Sequence, residues 1–402
     1  MRRPGRLPIA IVTALVVAEA AVVIMRPRDR GPDPLPVQSR AYFTPEQIHR
    51  AEAFRHGQIW LGLGQMAIGL AALALLVRYP PRRVMAIPRP VLAGAATAAT
   101  VAVVAGLAPL PLALVARERA KDVGLVTQDL AGYAGDLVKS EAITAILAGA
   151  GGAVLVLAMR RFGRRWWIPG TVAVVAFAVI SVYAGPVVLD PLFNKFTPLP
   201  RGPLRTEVLD LARRAGVDVG QVYEMDASRR TTAANAYVNG LGRTKRVVLF
   251  DTLVKDFSPA ETRLVVAHEL GHVRFRDVPH GLLWLTLVAP FGTYAVARAS
   301  ERLTRPGATA VPAVALSLAL IAPAVTAVSN QLSRAIERRA DAFALDLTDE
   351  PDAMVGFERR ITLQNVGDPD PPRWQQIVMG THPPTMERIG QALAFRRSPG
   401  GP

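Results

Sequence analysis

Long apolar stretches recur along most of this chain and are separated by short polar segments. A bilayer is crossed by about 20 helical residues, and seven stretches are long and apolar enough to do so. They are Leu7–Met25, Ile59–Val77, Val91–Ala116, Ala142–Met159, Trp166–Leu189, Gly281–Ala297 and Gly307–Asn330. The pattern therefore predicts an all-α membrane protein with about seven transmembrane helices.

A water-facing part, Asp190–His280, lies between the fifth and sixth predicted spans. Helical periodicity predicts a helix over Leu204–Ala215, which Gly216 ends. Short β-type runs predict three strands: Val222–Met225, Asn235–Val238 and Arg246–Phe250. This part is expected to be a small α+β domain.

After the last span, Gln331–Leu347 is predicted to be helical, and a polar tail follows it, in which Pro399–Pro402 are expected to be disordered. The predicted organisation has four parts, which are an N-terminal transmembrane region over 1–189, the small domain over 190–280, two further spans over 281–330, and a C-terminal part over 331–402.

Composition agrees with a membrane protein and limits the chemistry. Half of the 402 residues are hydrophobic and 20% are charged, which leaves too few polar side chains to cover a soluble protein of this size. The formal charge of +15 suggests nucleic acid, but the arginines cluster beside apolar runs, as at Arg160–Arg165. That placement favours lipid headgroups as partners, and no nucleic-acid partner is expected. The absence of cysteine excludes disulfides, thiolate catalysis and cysteine-ligated metals.

The most informative motif is HELGH at residues 268–272. Ser258, Pro259 and Glu261 predict the start of a helix, which would present His268 and His272 on one face, within reach of one ion. Glu269 is then expected to be the general base of a zinc-dependent hydrolase. The alternative is a surface helix with two histidines, and the apolar flanking residues argue against it.

A catalytic zinc site needs a third protein ligand, which here must be His, Glu or Asp. The best candidate is Glu337 in the run NQLSRAIERRADAFAL, with Asp341 one helical turn further on. Asp341 is expected to accept the ring N–H of a ligand histidine or to handle protons. The alternative for this pair is a solvated acidic edge on an arginine-rich helix.

Together with HELGH, the motifs NQLSRAIERRAD, HPPTMER and ANAYVNGLGRTKRVVLFDTLV resemble the CAAX prenyl protease 1 family of membrane zinc peptidases. The resemblance implies seven helices that enclose a chamber, with zinc near one end. It implies His268, His272 and Glu337 as ligands, Glu269 as the base, and Asp341 as a further acidic residue of the site. It also implies that the zinc domain and the C-terminus face the cytoplasm.

Three further residues are candidates for contacts with substrate. Asn235 adjoins a predicted strand, to whose edge an extended peptide can bind; the alternative is a turn asparagine. His382 and Arg388 are expected to bind the substrate carbonyl or its oxyanion; the alternative is a loop histidine and a surface arginine. The resemblance points to substrate roles for all three.

The sequence therefore predicts a multi-pass zinc metalloendopeptidase of the cell membrane. Its expected substrate is a peptide or protein, membrane-associated or lipidated substrates included. Two alternatives stay open at this point: a quality-control membrane zinc protease, which would have fewer spans, and a non-catalytic binding or transport protein on the same fold.

Overall fold

The fold is given by a computed structural model that describes residues 6–240, 245–304 and 307–397. The expectation for Pro399–Pro402 lies outside these residues. The helices are α1 Arg6–Met25, α2 Pro45–Arg78, α3 Arg82–Met85, α4 Pro90–Leu107, α5 Leu110–Asp122, α6 Leu130–Phe162, α7 Trp167–Val188, α8 Asp190–Phe193, α9 Pro203–Arg214, α10 Asp251–Asp256, α11 Pro259–Arg274, α12 Asp277–Ser300, α13 Ala310–Thr348, α14 Pro351–Gln364, α15 Arg373–Met379 and α16 Thr385–Arg397. The strands are β1 Phe196–Pro198, β2 Gln221–Met225, β3 Ala236–Asn239 and β4 Arg246–Phe250.

Seven of the described helices are long and apolar enough to cross a membrane: α1, α2, α4, α6, α7, α12 and α13. The predicted all-α membrane architecture is therefore confirmed. Helix α4 packs along α6, and α1 packs along α12 and α13. At the α4–α6 crossing a Cβ added to Gly152 would clash with Ala98, so the small residue permits the close approach that membrane helices use.

The helices differ in extent from the predicted spans: α2 begins at Pro45 and α6 at Leu130, well before Ile59 and Ala142. Two further differences change the architecture. The expected span Val91–Ala116 ends at Leu107, because Pro109 and Pro111 begin a separate helix, α5. The seventh span and the predicted helix Gln331–Leu347 form one continuous helix, α13, of 39 residues. No proline or glycine interrupts it after Pro323, so a single rigid element runs from the apolar region into the small domain.

The small domain has a four-stranded sheet in the order β1-β2-β4-β3. Strands β2 and β4 are parallel, and the other two pairs are antiparallel. The apolar residues Val222, Val247 and Leu249 are completely buried and pack with α9 and α11 into the core of the domain. Strand β3 lies at one edge of this sheet and contacts α11.

An apolar cavity of about 410 Å³ lies among α6, α7, α12 and α13. Its walls include Trp166, Trp284 and Ile321, and Thr326 and Ser329 of α13 line it as well. Four of the seven membrane helices therefore line one cavity, and the chamber enclosed by all seven stays a prediction.

Candidate metal centre

Helix α11 begins as the sequence predicts, with a reciprocal cap. The hydroxyl of Ser258 accepts a hydrogen bond from the backbone of Glu261, whose carboxylate accepts one from the backbone of Ser258. The helix then crosses α13 at Gly271. A Cβ at Gly271 would lie 3.1 Å from Phe343 Cδ1 and 3.5 Å from Ala340 Cα. The missing side chain therefore lets the two helices approach closely enough to bring Glu337 beside the two histidines.

The side chains of His268, His272 and Glu337 present ligand atoms that lie within 4.8 Å of one another. His268 Nε2 lies 3.1 Å from His272 Nε2 and 3.2 Å from Glu337 Oε2. His272 Nε2 lies 3.7 Å from Glu337 Oε1. Glu337 Oε2 is buried and has no hydrogen-bond partner among the described residues.

The other ring nitrogens of the two histidines fix their tautomers. His268 Nδ1 lies 2.8 Å from Asp341 Oδ1, and His272 Nδ1 lies 2.9 Å from Asp277 Oδ2. Because a carboxylate only accepts hydrogen bonds, each Nδ1 carries a proton and each Nε2 carries a lone pair. Two lone pairs and a carboxylate that face one another repel unless a cation lies between them. The residues therefore fit a divalent metal ion.

Glu269 follows the first histidine and lines the cavities on which the site opens. Burial raises the pKa of its carboxyl, while the two histidines oppose that rise. A carboxylate with a raised pKa is a better proton acceptor, which suits a general base.

Asp341 and Arg388 belong to one buried ionic network. Asp341 is 1% exposed and receives Arg388 Nε at 2.8 Å and Arg388 Nη2 at 2.5 Å. Arg388 Nη1 lies 2.5 Å from Glu358 Oε1, and Glu358 is 2% exposed. All three guanidinium nitrogens thus face carboxylates, an arrangement in which Arg388 positions Asp341 behind His268.

The structure brings His382 and Asn235 to the same cavity as His268 and Glu269. His382 Nε2 lies 3.5 Å from Glu337 Oε2, and the side chain is 61% exposed. Asn235 is exposed and immediately precedes β3, where its side chain accepts a hydrogen bond from the backbone of Ala236. Both are therefore free to contact a substrate.

Sequence reasoning missed Asp277 and Glu358. Asp277 begins α12, and a left-handed residue, Arg276 at φ 57°, turns the chain so that the carboxylate faces His272. Arg339 forms an ion pair with the same carboxylate. The only sequence signal was an acid five residues after His272. Glu358 lies on α14, within a tail for which no helix was predicted.

We predict that Asp277→Asn weakens metal affinity by about 10- to 100-fold, because loss of a carboxylate that orients a ligand histidine typically has that effect. A chelator competition titration measures the change. The exposed Asp346 on α13 offers a control, Asp346→Asn, which should bind metal as the wild type does. Equal affinities for all three proteins would contradict the role of Asp277.

Comparison with known proteins identifies the family of the chain. A model of peptidase family M48 matches residues 198–395, and a model of the CAAX prenyl protease N-terminal region, with five membrane helices, matches residues 30–195. An uncharacterized metalloprotease of Bacillus subtilis, YhfN, is 32% identical over 304 residues, which cover 73% of this chain and 71% of that protein. The chain belongs to the CAAX prenyl protease 1 family. It is a multi-pass membrane metalloprotease, and the resemblance drawn from its motifs is confirmed.

Other members of the family match over shorter regions. The CAAX prenyl protease 1 homologue of Oryza sativa is 31% identical over 224 residues, 53% of this chain and 52% of that protein. The chain thus spans about half the length of this plant relative. The crystal structure of S. mikatae Ste24p has a TM-score of 0.79 at 20% identity and covers 96% of this chain and 98% of that one. This likeness shows that the two proteins share a fold.

Proposed function

We propose that this metalloprotease holds one zinc ion with His268, His272 and Glu337 and uses Glu269 as its general base. The observation that carries the proposal is the convergence of the three ligand atoms, with both Nδ1 atoms already committed to carboxylates. Two imidazoles and one carboxylate form a donor set that hydrolytic zinc sites use, with a fourth position left open. No cysteine competes for the metal.

When bound, zinc supplies a Lewis acid that lowers the pKa of a water molecule and polarises the scissile carbonyl. The carboxylate of Glu269 takes a proton from the attacking water and delivers it to the leaving amine. Asp341 and Asp277 hold the Nδ1 protons of His268 and His272, so both rings keep the orientation that ligation requires.

His382 is the group that we propose to stabilise the oxyanion. Its side chain is largely exposed, lines the cavity that contains Glu269, and lies close to Glu337. A ring N–H can therefore reach a substrate carbonyl. Arg388, in contrast, is engaged by Asp341 and Glu358. We therefore assign Arg388 a positioning role through Asp341. Because Arg388 also lines the cavity that contains His382, the substrate contact expected from the sequence stays a prediction.

The substrate is a polypeptide, and we propose that it binds in extended form along β3. Among the described strands, β3 pairs only with β4, so its other edge has no strand partner. Asn235 immediately precedes β3. Added strands gain affinity from backbone hydrogen bonds. The cavity among α6, α7, α12 and α13 is suited to an apolar or lipid-modified part of the same substrate.

For the cellular arrangement, we propose that the zinc domain and the C-terminus face the cytoplasm. The family resemblance supports this orientation, and a reporter fused after Pro402 tests it. The arginines at the end of α6 then lie on the opposite side of the membrane, where the positive-inside rule does not place them, so the reporter decides between the two arguments. Seven candidate spans favour this family over the quality-control proteases with fewer spans. An unbroken set of site residues favours an enzyme over a non-catalytic protein.

The proposed function predicts metal-dependent proteolysis. Purified protein in detergent or proteoliposomes should cleave internally quenched peptides, lose this activity with a chelator, and regain it when zinc is added back. Magnesium is the matched control ion and should not restore cleavage, because it prefers oxygen ligands and octahedral geometry. Cleavage that survives complete metal removal would contradict the proposal.

A further inference from the structure

Glu269 lines two separate cavities. The first, of about 340 Å³, also contains Ala234 and Asn235, which directly precede β3, and we call it the site cavity. The second cavity, of about 520 Å³, contains Val238 and Asn239 from the far end of β3. A peptide that lies along β3 therefore passes from one cavity to the other and crosses Glu269 between them.

The walls of the two cavities differ in chemistry. Beyond the catalytic residues, the site cavity is lined mainly by hydrophobic side chains, among them Leu253, Met354, Phe357 and Ile361. The second cavity contains two cations, Lys245 and Arg276, beside Glu269 and His272. We call it the cationic cavity.

Lys245 and Arg276 line the cavity without an ionic partner among the described residues, unlike some other basic residues of the domain. Arg230 pairs with Asp136, and Arg263 pairs with Glu207 and Glu350. For Lys245 and Arg276, no side-chain hydrogen bond or ion pair is formed with any of the residues that the structure describes. The cavity thus contains two unpaired cations, and Glu269 is the one carboxylate among its described lining residues.

The backbone holds Arg276 in an unfavourable conformation. Its φ of 57° is left-handed, a region that glycine, asparagine and aspartate enter more readily than arginine. The junction between α11 and α12 needs this turn, which also places Asp277 against His272. An arginine that lines a cavity beside Glu269 at such a strained position is a candidate for a functional use of its charge.

We propose that the cationic cavity is a subsite for an acidic side chain of the substrate, an Asp or a Glu. This inference rests on the proposed function and specifies its substrate class. Since β3 has four residues and an extended chain rises about 3.3 Å per residue, the anionic group lies within about three residues of the scissile bond. The site cavity accepts the hydrophobic side chain on the other side of that bond.

Matched peptides test the subsite. The zinc-loaded enzyme is assayed with a set of quenched peptides. The peptides differ at one position at a time, which carries Glu, Gln or Lys, and the three positions on either side of the cleaved bond are each varied. At one of these positions, we expect Glu to lower KM about tenfold relative to Gln, as charge-paired contacts at binding sites commonly do. The preference should shrink at high ionic strength.

Variants of the two cations assign the preference to the cavity. Arg276→Asn removes one charge with a residue that tolerates the left-handed turn, and Lys245→Gln removes the other charge. Each variant should reduce the preference for Glu and should still cleave the Gln peptide. Arg276→Asp should favour the Lys peptide. Arg274, exposed on α11 and outside both cavities, provides the control Arg274→Asn, which should behave as the wild type does. The zinc content of every variant verifies that the metal site has folded.

The outcomes separate the inference from the proposed function. Cleavage of the Glu, Gln and Lys peptides with equal KM at every position, or a preference for Glu that both cation variants retain, would overturn the anionic subsite and leave the protease mechanism intact. Failure of the zinc-loaded wild type to cleave any peptide would contradict the proposed function itself, and the subsite with it.

Discussion

Glu269→Gln should abolish peptide hydrolysis and leave the metal in place. The substitution keeps the size of the side chain but removes the proton acceptor, and general-base catalysis contributes roughly 10²- to 10⁴-fold to the rate. Glu269 does not belong to the group whose ligand atoms converge, so the zinc content should equal that of the wild type. Turnover of a quenched peptide and elemental analysis of the same sample measure the two effects.

A distant acid provides the control for this experiment. Glu52 is exposed on α2, and Glu52→Gln should retain full activity. The Glu269→Gln variant should also retain bound substrate, so mass spectrometry of the polypeptides that copurify with it identifies natural substrates. Hydrolysis at the wild-type rate by Glu269→Gln would exclude this residue as the base.

Glu337→Ala should lose zinc. The side chain supplies one of three ligands, so its removal should reduce affinity by more than the roughly hundredfold that loss of an outer partner causes. The variant also leaves two histidine lone pairs 3.1 Å apart without the carboxylate that balances the ion. Elemental analysis after dialysis measures the loss.

Asp346→Ala is the matched control, because Asp346 lies on the same helix and is exposed. It should retain zinc at the wild-type level. Equal zinc in Glu337→Ala and Asp346→Ala would remove Glu337 from the ligand set.

The sequence predicts those parts of the molecule whose physical cause is local. Helical spans follow from runs of apolar residues, and the start of α11 follows from Ser258 and Glu261, which form the predicted cap. The strand Arg246–Phe250 has the predicted bounds, and β3 is displaced by one residue, to Ala236–Asn239. In each case the side chains that determine the element are neighbours in sequence.

The features that sequence reasoning missed depend on contacts between distant segments. Asp277 reaches His272 only because Arg276 adopts a left-handed turn, which no composition pattern for arginine predicts. Glu358 lies on α14 and reaches Arg388 of α16, 30 positions later, in a tail that appeared merely polar. The engagement of Arg388 by two carboxylates likewise follows from tertiary packing alone.

The position of the metal tests the central claim most directly. Diffraction data collected on either side of the zinc absorption edge, from crystals of the zinc-loaded Glu269→Gln protein, would locate the ion. The account predicts one anomalous peak per chain, between His268 Nε2, His272 Nε2 and Glu337. A protein that binds no zinc, or a peak elsewhere in the chain, would contradict it.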